Sequence, residues 1–130
     1  MSASKWIKYN GNPILGKDYG TCFDATVLEE NGGYRLYFSW RPKKSIAFVE
    51  SKDGIKWSEP VIVLEPVETE AHWQDDLNRQ VVVKKDGKYH MWYSSQKREG
   101  GKGMYTHSWI FYAKSDDGIK WERRLEPVLS

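Results

Sequence analysis

Ser51-Lys52-Asp53-Gly54-Ile55-Lys56-Trp57 recurs later in the chain as Ser115-Asp116-Asp117-Gly118-Ile119-Lys120-Trp121. A second pair lies upstream in the same order. Gly33-Tyr34-Arg35-Leu36-Tyr37-Phe38-Ser39 corresponds to Lys88-Tyr89-His90-Met91-Trp92-Tyr93-Ser94, with turn signals at Asn31-Gly32-Gly33 and Asp86-Gly87 just ahead. Motifs repeated in a constant order mark a repeat architecture, so the chain is read as two units of one design. Tyr34, Leu36 and Phe38 alternate with Arg35, Tyr37 and Ser39, and Tyr89, Met91 and Tyr93 alternate with His90, Trp92 and Ser94. That period of two belongs to strands.

Working outward, each unit reads as four short strands. In the first they fall near 22–28, 34–40, 45–51 and 56–64. In the second they fall near 78–84, 88–95, 108–115 and 120–128. Gly, Asp and Asn fill the gaps, as turns require. No window reads as a helix, so the fold class is all-β. Four antiparallel strands in each unit match a β-propeller blade. We read residues 1–130 as a single two-blade segment, with blade 1 over about 20–64 and blade 2 over about 76–128. Tyr34 to Trp57 spans 23 residues, whereas Tyr89 to Trp121 spans 32. The surplus is placed in the Glu99-Gly100-Gly101-Lys102-Gly103 loop. The tryptophan closing each motif is expected to pack on the neighbouring blade.

Two blades cannot close a ring, and each would leave an apolar face and open edges. The ring is completed either by oligomerisation or by chain outside this sequence. Two-blade subunits build rings of four, six or eight blades, not five. Trp6…Asn12-Pro13-Ile14-Leu15 matches the segments just after Trp57 and Trp121. Outer-strand equivalents therefore stand at both termini, one more than simple closure needs.

Composition narrows the function classes. The 130 residues carry a net charge of +2, which makes no electrostatic case for nucleic acid or an anionic membrane. Arg41-Pro42-Lys43-Lys44 and Lys97-Arg98-Glu99-Gly100-Gly101-Lys102 are expected to be solvated loop tips. Aromatics reach 15%, suited to sheet packing or to a stacking surface. A lone Cys22 excludes an intramolecular disulfide and is expected to be a small buried hydrophobe. No histidines have metal-ligand spacing, and no phosphate-cradling loop or serine elbow occurs, so no metal or cofactor is expected. There is no leader-like segment and no apolar run of membrane-spanning length, which makes the expectation cytoplasmic; a leader removed earlier would leave the same sequence.

Asn12-Pro13-Ile14-Leu15, Phe23-Asp24-Ala25-Thr26-Val27-Leu28 and the two quoted motifs of the first unit resemble the first blade of five-bladed propeller glycosidases, namely glycoside hydrolase families 43 and 32 and their relatives. Asn78-Arg79-Gln80-Val81-Val82-Val83 with the Asp86–Ser94 stretch after it resembles the second blade. The resemblance covers nearly the whole chain but about two of five blades. It implies hydrolysis of glycosidic bonds by carboxylates around a central funnel. An Asp on the innermost strand of the first blade acts as base or nucleophile, another Asp tunes it, and a Glu acts as acid. Asp24 occupies the first position. A separation of roughly 6.5–9.5 Å between carboxyls goes with inversion and about 5–5.5 Å with retention.

In the second unit Arg79 stands where the first has Asp24, and no Glu matches the acid, so one chain is expected to lack a complete catalytic set. Asp76 is the second catalytic candidate, although it and Asp75 are equally readable as loop residues. Asp24 itself is either a funnel carboxylate or a turn cap. Arg79 and Asn78 are candidate substrate contacts, the Arg as a clamp for a carboxylate or sugar hydroxyl or else as an ion-pair partner of Asp24 or Asp76. His72, Trp73 and Asp75 belong to the connection between blades, with Trp73 as a sugar-stacking ring. Three functions fit these residues: a carbohydrate-active propeller; a non-catalytic lectin-like ring; and a structural partner-binding propeller, since Ser-x-Asp-Gly-Ile-x-Trp also resembles the chemically inert Asp-boxes of sialidase-type propellers.

Overall fold

The structure is a computed structural model, and it describes residues 4–68, 74–98 and 105–129. Eight strands form two four-stranded antiparallel sheets. The first runs in the order β1 (Cys22–Glu30), β2 (Gly33–Trp40), β3 (Ser45–Ser51) and β4 (Val61–Leu64). The second runs β5 (Leu77–Lys85), β6 (Lys88–Arg98), β7 (Tyr105–Ser115) and β8 (Glu122–Arg123). These are two propeller blades, and the ring is open.

The hairpins form where turn chemistry places them. Glu30 pairs with Gly33 and Lys85 with Lys88, leaving two-residue loops, Asn31-Gly32 and Asp86-Gly87. All four loop residues have positive φ, between 50° and 75°. That is the type I′ geometry that continues the right-handed twist of the flanking strands.

The fourth strands are shorter than 56–64 and 120–128. Asp53 Oδ1 accepts the N–H groups of Ile55 and Lys56, both at 2.9 Å, and Asp117 Oδ1 accepts those of Ile119 and Lys120 at 2.8 and 2.9 Å. A backbone donor held by a side chain cannot join a ladder, so pairing resumes only at Val61 and Glu122. A bridge between Ile110 and Leu129 continues the second edge. The inserted Glu99–Gly103 loop lies outside the described residues.

A core of Tyr37, Ile46, Phe48 and Leu64 from the first sheet and Leu77, Met91, Tyr93 and Phe111 from the second fills the space between the blades. Trp121 lies edge-on to Tyr37 of the neighbouring blade, with ring centroids 6.0 Å apart, and packs on Tyr89. Trp57 instead joins the cluster of Leu36, Phe38, Ala47 and Val49 on the opposite face of its own sheet. The tryptophan therefore packs across blades only where a neighbouring blade is present.

Polar groups fasten the same junction. Tyr37 Oη donates to the Gly118 carbonyl at 2.7 Å, and Arg35 Nη1 donates to the Asp117 carbonyl at 2.8 Å. The nearly buried Glu30 carboxylate accepts from Lys84 Nζ at 2.9 Å and Tyr89 Oη at 2.5 Å. Desolvation pushes its pKa up, but these donors outweigh it and hold the group below the usual value. Glu50 is the exposed end of an ion pair with Arg35 at 3.3 Å.

Candidate functional site

The innermost strands of the two blades, β1 and β5, each carry a bulge at the same repeat position. Register shifts between Phe23 and Thr26 in one strand and between Asn78 and Val81 in the other. Within the bulges, Asp24 and Arg79 have the same left-handed φ of 54°. Such backbone costs a non-glycine residue about 1–3 kcal/mol, with Asp the better tolerated of the two. A bulge re-aims the side chain it carries. Both side chains are exposed.

The bulges are tied across the blade boundary. Buried Gln80 donates through Nε2 to the Asp24 carbonyl, and to the Tyr37 carbonyl at 3.1 Å. Its Oε1 accepts from Ser39 Oγ at 2.9 Å, and Ser39 Oγ accepts the Arg79 N–H at 2.8 Å. Thr26 Oγ1 donates to the Gln80 carbonyl at 3.0 Å. Each blade therefore fixes the backbone of the other's exposed residue. Gln80 and Ser39 are absent from the candidates drawn from sequence. One signal for them was present: a Gln entering the apolar run Val81-Val82-Val83, and a Ser closing both Tyr-rich strands.

Neither the Asp24 carboxylate nor the Arg79 guanidinium has a hydrogen-bond or ion-pair partner among the described residues, so within them Arg79 ties neither Asp24 nor Asp76 in an ion pair. Asp24 also borders a cleft of about 840 Å3 between the 8–15 segment and the outer face of the first sheet, where Phe23, Ala25, Leu36 and Phe38 form the wall. The cleft is largely apolar, with the carboxylate at its edge.

The remaining candidates separate. Asp76 is buried at the head of β5, where its carbonyl accepts the Gln96 N–H at 3.1 Å, and Asp75 is half-buried beside it. Asn78 is buried too; its Nδ2 donates to Gln96 Oε1 at 3.2 Å, while Oδ1 has no partner among the described residues. His72 and Trp73 lie outside the described residues. His90 stacks on Trp92 and Tyr112, and one ring nitrogen lies 2.7 Å from Tyr112 Oη. Cys22 is half-buried, and burial pushes its thiol up. Among the described residues no cluster of three His, Cys, Asp or Glu side chains could hold a metal, and no helix is long and apolar enough to cross a membrane.

The arrangement thus presents one free carboxylate and one free guanidinium on adjacent innermost strands. The first can take or hold a proton, and the second can fork two parallel hydrogen bonds.

No protein-family model matches the chain, and no curated protein matches its sequence. Solved structures do. A glycosyl hydrolase from Bacteroides ovatus superposes with a TM-score of 0.68 at 16% identity, over 89% of this chain and 39% of that one. A family 117 glycoside hydrolase of the marine bacterium Zobellia galactanivorans gives 0.68 at 17% identity, over 94% and 42%. The family 32 β-fructofuranosidase of Bombyx mori gives 0.62 at 14% identity, over 92% and 27%. This chain therefore spans less than half the length of each. At these identities the likeness is one of fold: the chain has the fold of two consecutive blades of the propeller on which these glycoside hydrolases are built.

Proposed function

We propose that residues 1–130 are a two-blade segment of a carbohydrate-active propeller that acts on glycosidic bonds at the bulge of β1, with Asp24 as general base or nucleophile. One observation carries this reading. Asp24 is held in a left-handed bulge on an innermost strand, its backbone is buckled by Gln80 of the next blade, and its carboxylate is exposed and unpartnered among the described residues. Strained backbone supported from a neighbouring element, yet presenting an unpartnered polar group, is a usual mark of a working side chain.

Catalysis of this kind needs a second carboxyl that stays protonated to assist the leaving oxygen. Asp76, at the head of β5, is the second carboxyl of the set. Arg79 would hold sugar hydroxyls, the buried Asn78 would brace β5 through Gln96, and Asp75, His72 and Trp73 would line the approach. A panel of aryl glycosides tests the reading. Asp24→Asn keeps shape and removes the charge, so turnover should drop about 100-fold or more while the fold is kept. Unchanged turnover in Asp24→Asn removes Asp24 from the chemistry.

A second reading rests on a separate observation. The bulge of β5 presents Arg79 where that of β1 presents Asp24. A site with one carboxylate and one guanidinium is equipped to bind a glycan without cleaving it, as a lectin-like propeller does. Calorimetric binding of glycans that weakens in Arg79→Ala, with no turnover on any glycoside, would favour this reading.

A further inference from the structure

The two blades of one chain meet through unlike faces; the other face of the second sheet is open at Trp92, and that of the first buries Leu36, Phe38, Ala47 and Val49 but leaves Val27 and Tyr34 exposed. The first sheet offers Leu28, Arg35, Tyr37, Ile46 and Phe48, and the second receives them on Val82, Tyr89, Met91, Phe111 and the turn at Gly118. Repeat equivalence maps each set onto the opposite open face. Arg35, Tyr37 and Phe48 correspond to His90, Trp92 and Tyr112 on the far side of the second sheet. Val82 and Tyr89 correspond to Val27 and Tyr34 on the far side of the first. At two pairs of equivalent positions exposure follows the junction and not the residue type. Val82 is 3% exposed inside the junction, whereas Val27 at the same repeat position is 51% exposed. Tyr37 is fully buried, whereas Trp92 is 42% exposed beside Val81 and Val83.

We propose that the His90–Trp92–Tyr112 face of one copy docks on the Val27–Tyr34 face of a second copy, repeating head to tail the packing found between the blades of a single chain. The occupant is a second copy because this chain itself carries equivalents of both halves of the junction, on opposite sides and with Val27, Tyr34 and Trp92 exposed. In the contact, Trp92 takes the place of Tyr37 against the Gly54–Trp57 turn. His90, whose Nδ1 is engaged by Tyr112, turns Nε2 to the Asp53 carbonyl as Arg35 turns to that of Asp117. Such an interface is heterologous, so copies add in one direction until the rotation closes a ring. The inference rests on blade packing and not on sugar chemistry.

Sedimentation and light scattering of the intact chain test it. The wild type should exceed the monomer mass of 15.2 kDa, growing with concentration by whole copies. Val27→Glu disables one face and Trp92→Glu the other, and each alone should run as a monomer. An equimolar mixture retains one live pair of faces and should give a dimer that grows no further. Val83→Glu is the second variant for the Trp92 face, and near-UV circular dichroism verifies that each variant is folded. A wild type that stays at the monomer mass up to its solubility limit overturns the proposal. So does self-association that these substitutions leave unchanged. A monomer that still cleaves glycosides would end this proposal and leave the reading of Asp24 standing.

Discussion

The turns Ser51–Trp57 and Ser115–Trp121 share a local design but not their surroundings. In each, the serine hydroxyl accepts the glycine N–H at 2.8 Å and the aspartate caps the two residues after the glycine. Both glycines are left-handed, with φ of 77° and 75°. Gly54 nonetheless has only the Tyr34 ring near the place of a β-carbon, at 3.6 Å. At Gly118 a β-carbon would stand 2.5 Å from Arg35 Nη1 and 2.6 Å from Tyr37 Oη. One sequence motif is a free turn at one end of the molecule and the keystone of the blade junction at the other. Local hydrogen bonds make the turn; the neighbouring blade decides what it is worth.

The sharpest way to break this comparison is alanine at the two glycines. Gly118→Ala adds backbone strain and pushes apart the Arg35 and Tyr37 contacts, for a loss of about 3 kcal/mol. Gly54→Ala carries the strain alone, about 1 kcal/mol. Paired urea titrations measure both, and equal losses would contradict the difference between the two turns.

Tyr37→Phe comes next. It leaves the Gly118 carbonyl without its donor in a buried place, at a cost of about 2 kcal/mol in the same titration. It also moves the alkaline limb. Burial pushes the phenols of Tyr37 and Tyr93 up to about 12 from the ordinary 10.0. The folded state therefore favours the protonated phenol, so this contribution is full below pH 10.0 and is lost as pH climbs toward about 12. The variant should keep only the part due to Tyr93.

The smallest effect is one of sameness. Backbone N–H groups of Lys56 and Ile55, and of Lys120 and Ile119, lower the pKa of Asp53 and of Asp117 below the ordinary 3.8. Both turns should therefore hold through mild acid and loosen only as pH falls through these depressed values. Carboxyl NMR titration should place both aspartates below the ordinary value. A marked gap between them would mean that the junction reaches the cap as well as the glycine.

Much of the fold was legible because it is local. Alternation in Tyr34–Ser39 and Tyr89–Ser94 and the Asn-Gly and Asp-Gly turns act over a few residues, and the strands obey them. The shortening of β4 and β8 was less legible, because it depends on a carboxylate competing with a ladder for the same donors. Asp24 and Arg79 were readable as a pair from repeat spacing, and both stand in matching bulges. Gln80 and Ser39 were missed, since nothing near them in the chain shows that they meet across a blade boundary.

The sequence by itself determined strands, turns, the repeat and the equivalence of Asp24 with Arg79, because period-two patterning and turn chemistry are short-range. Only the tertiary structure decided which of two equivalent faces is buried, which of two like turns is clasped, and which polar side chains hold the bulges. Those outcomes depend on what lies opposite, and desolvation acts only where another sheet excludes water.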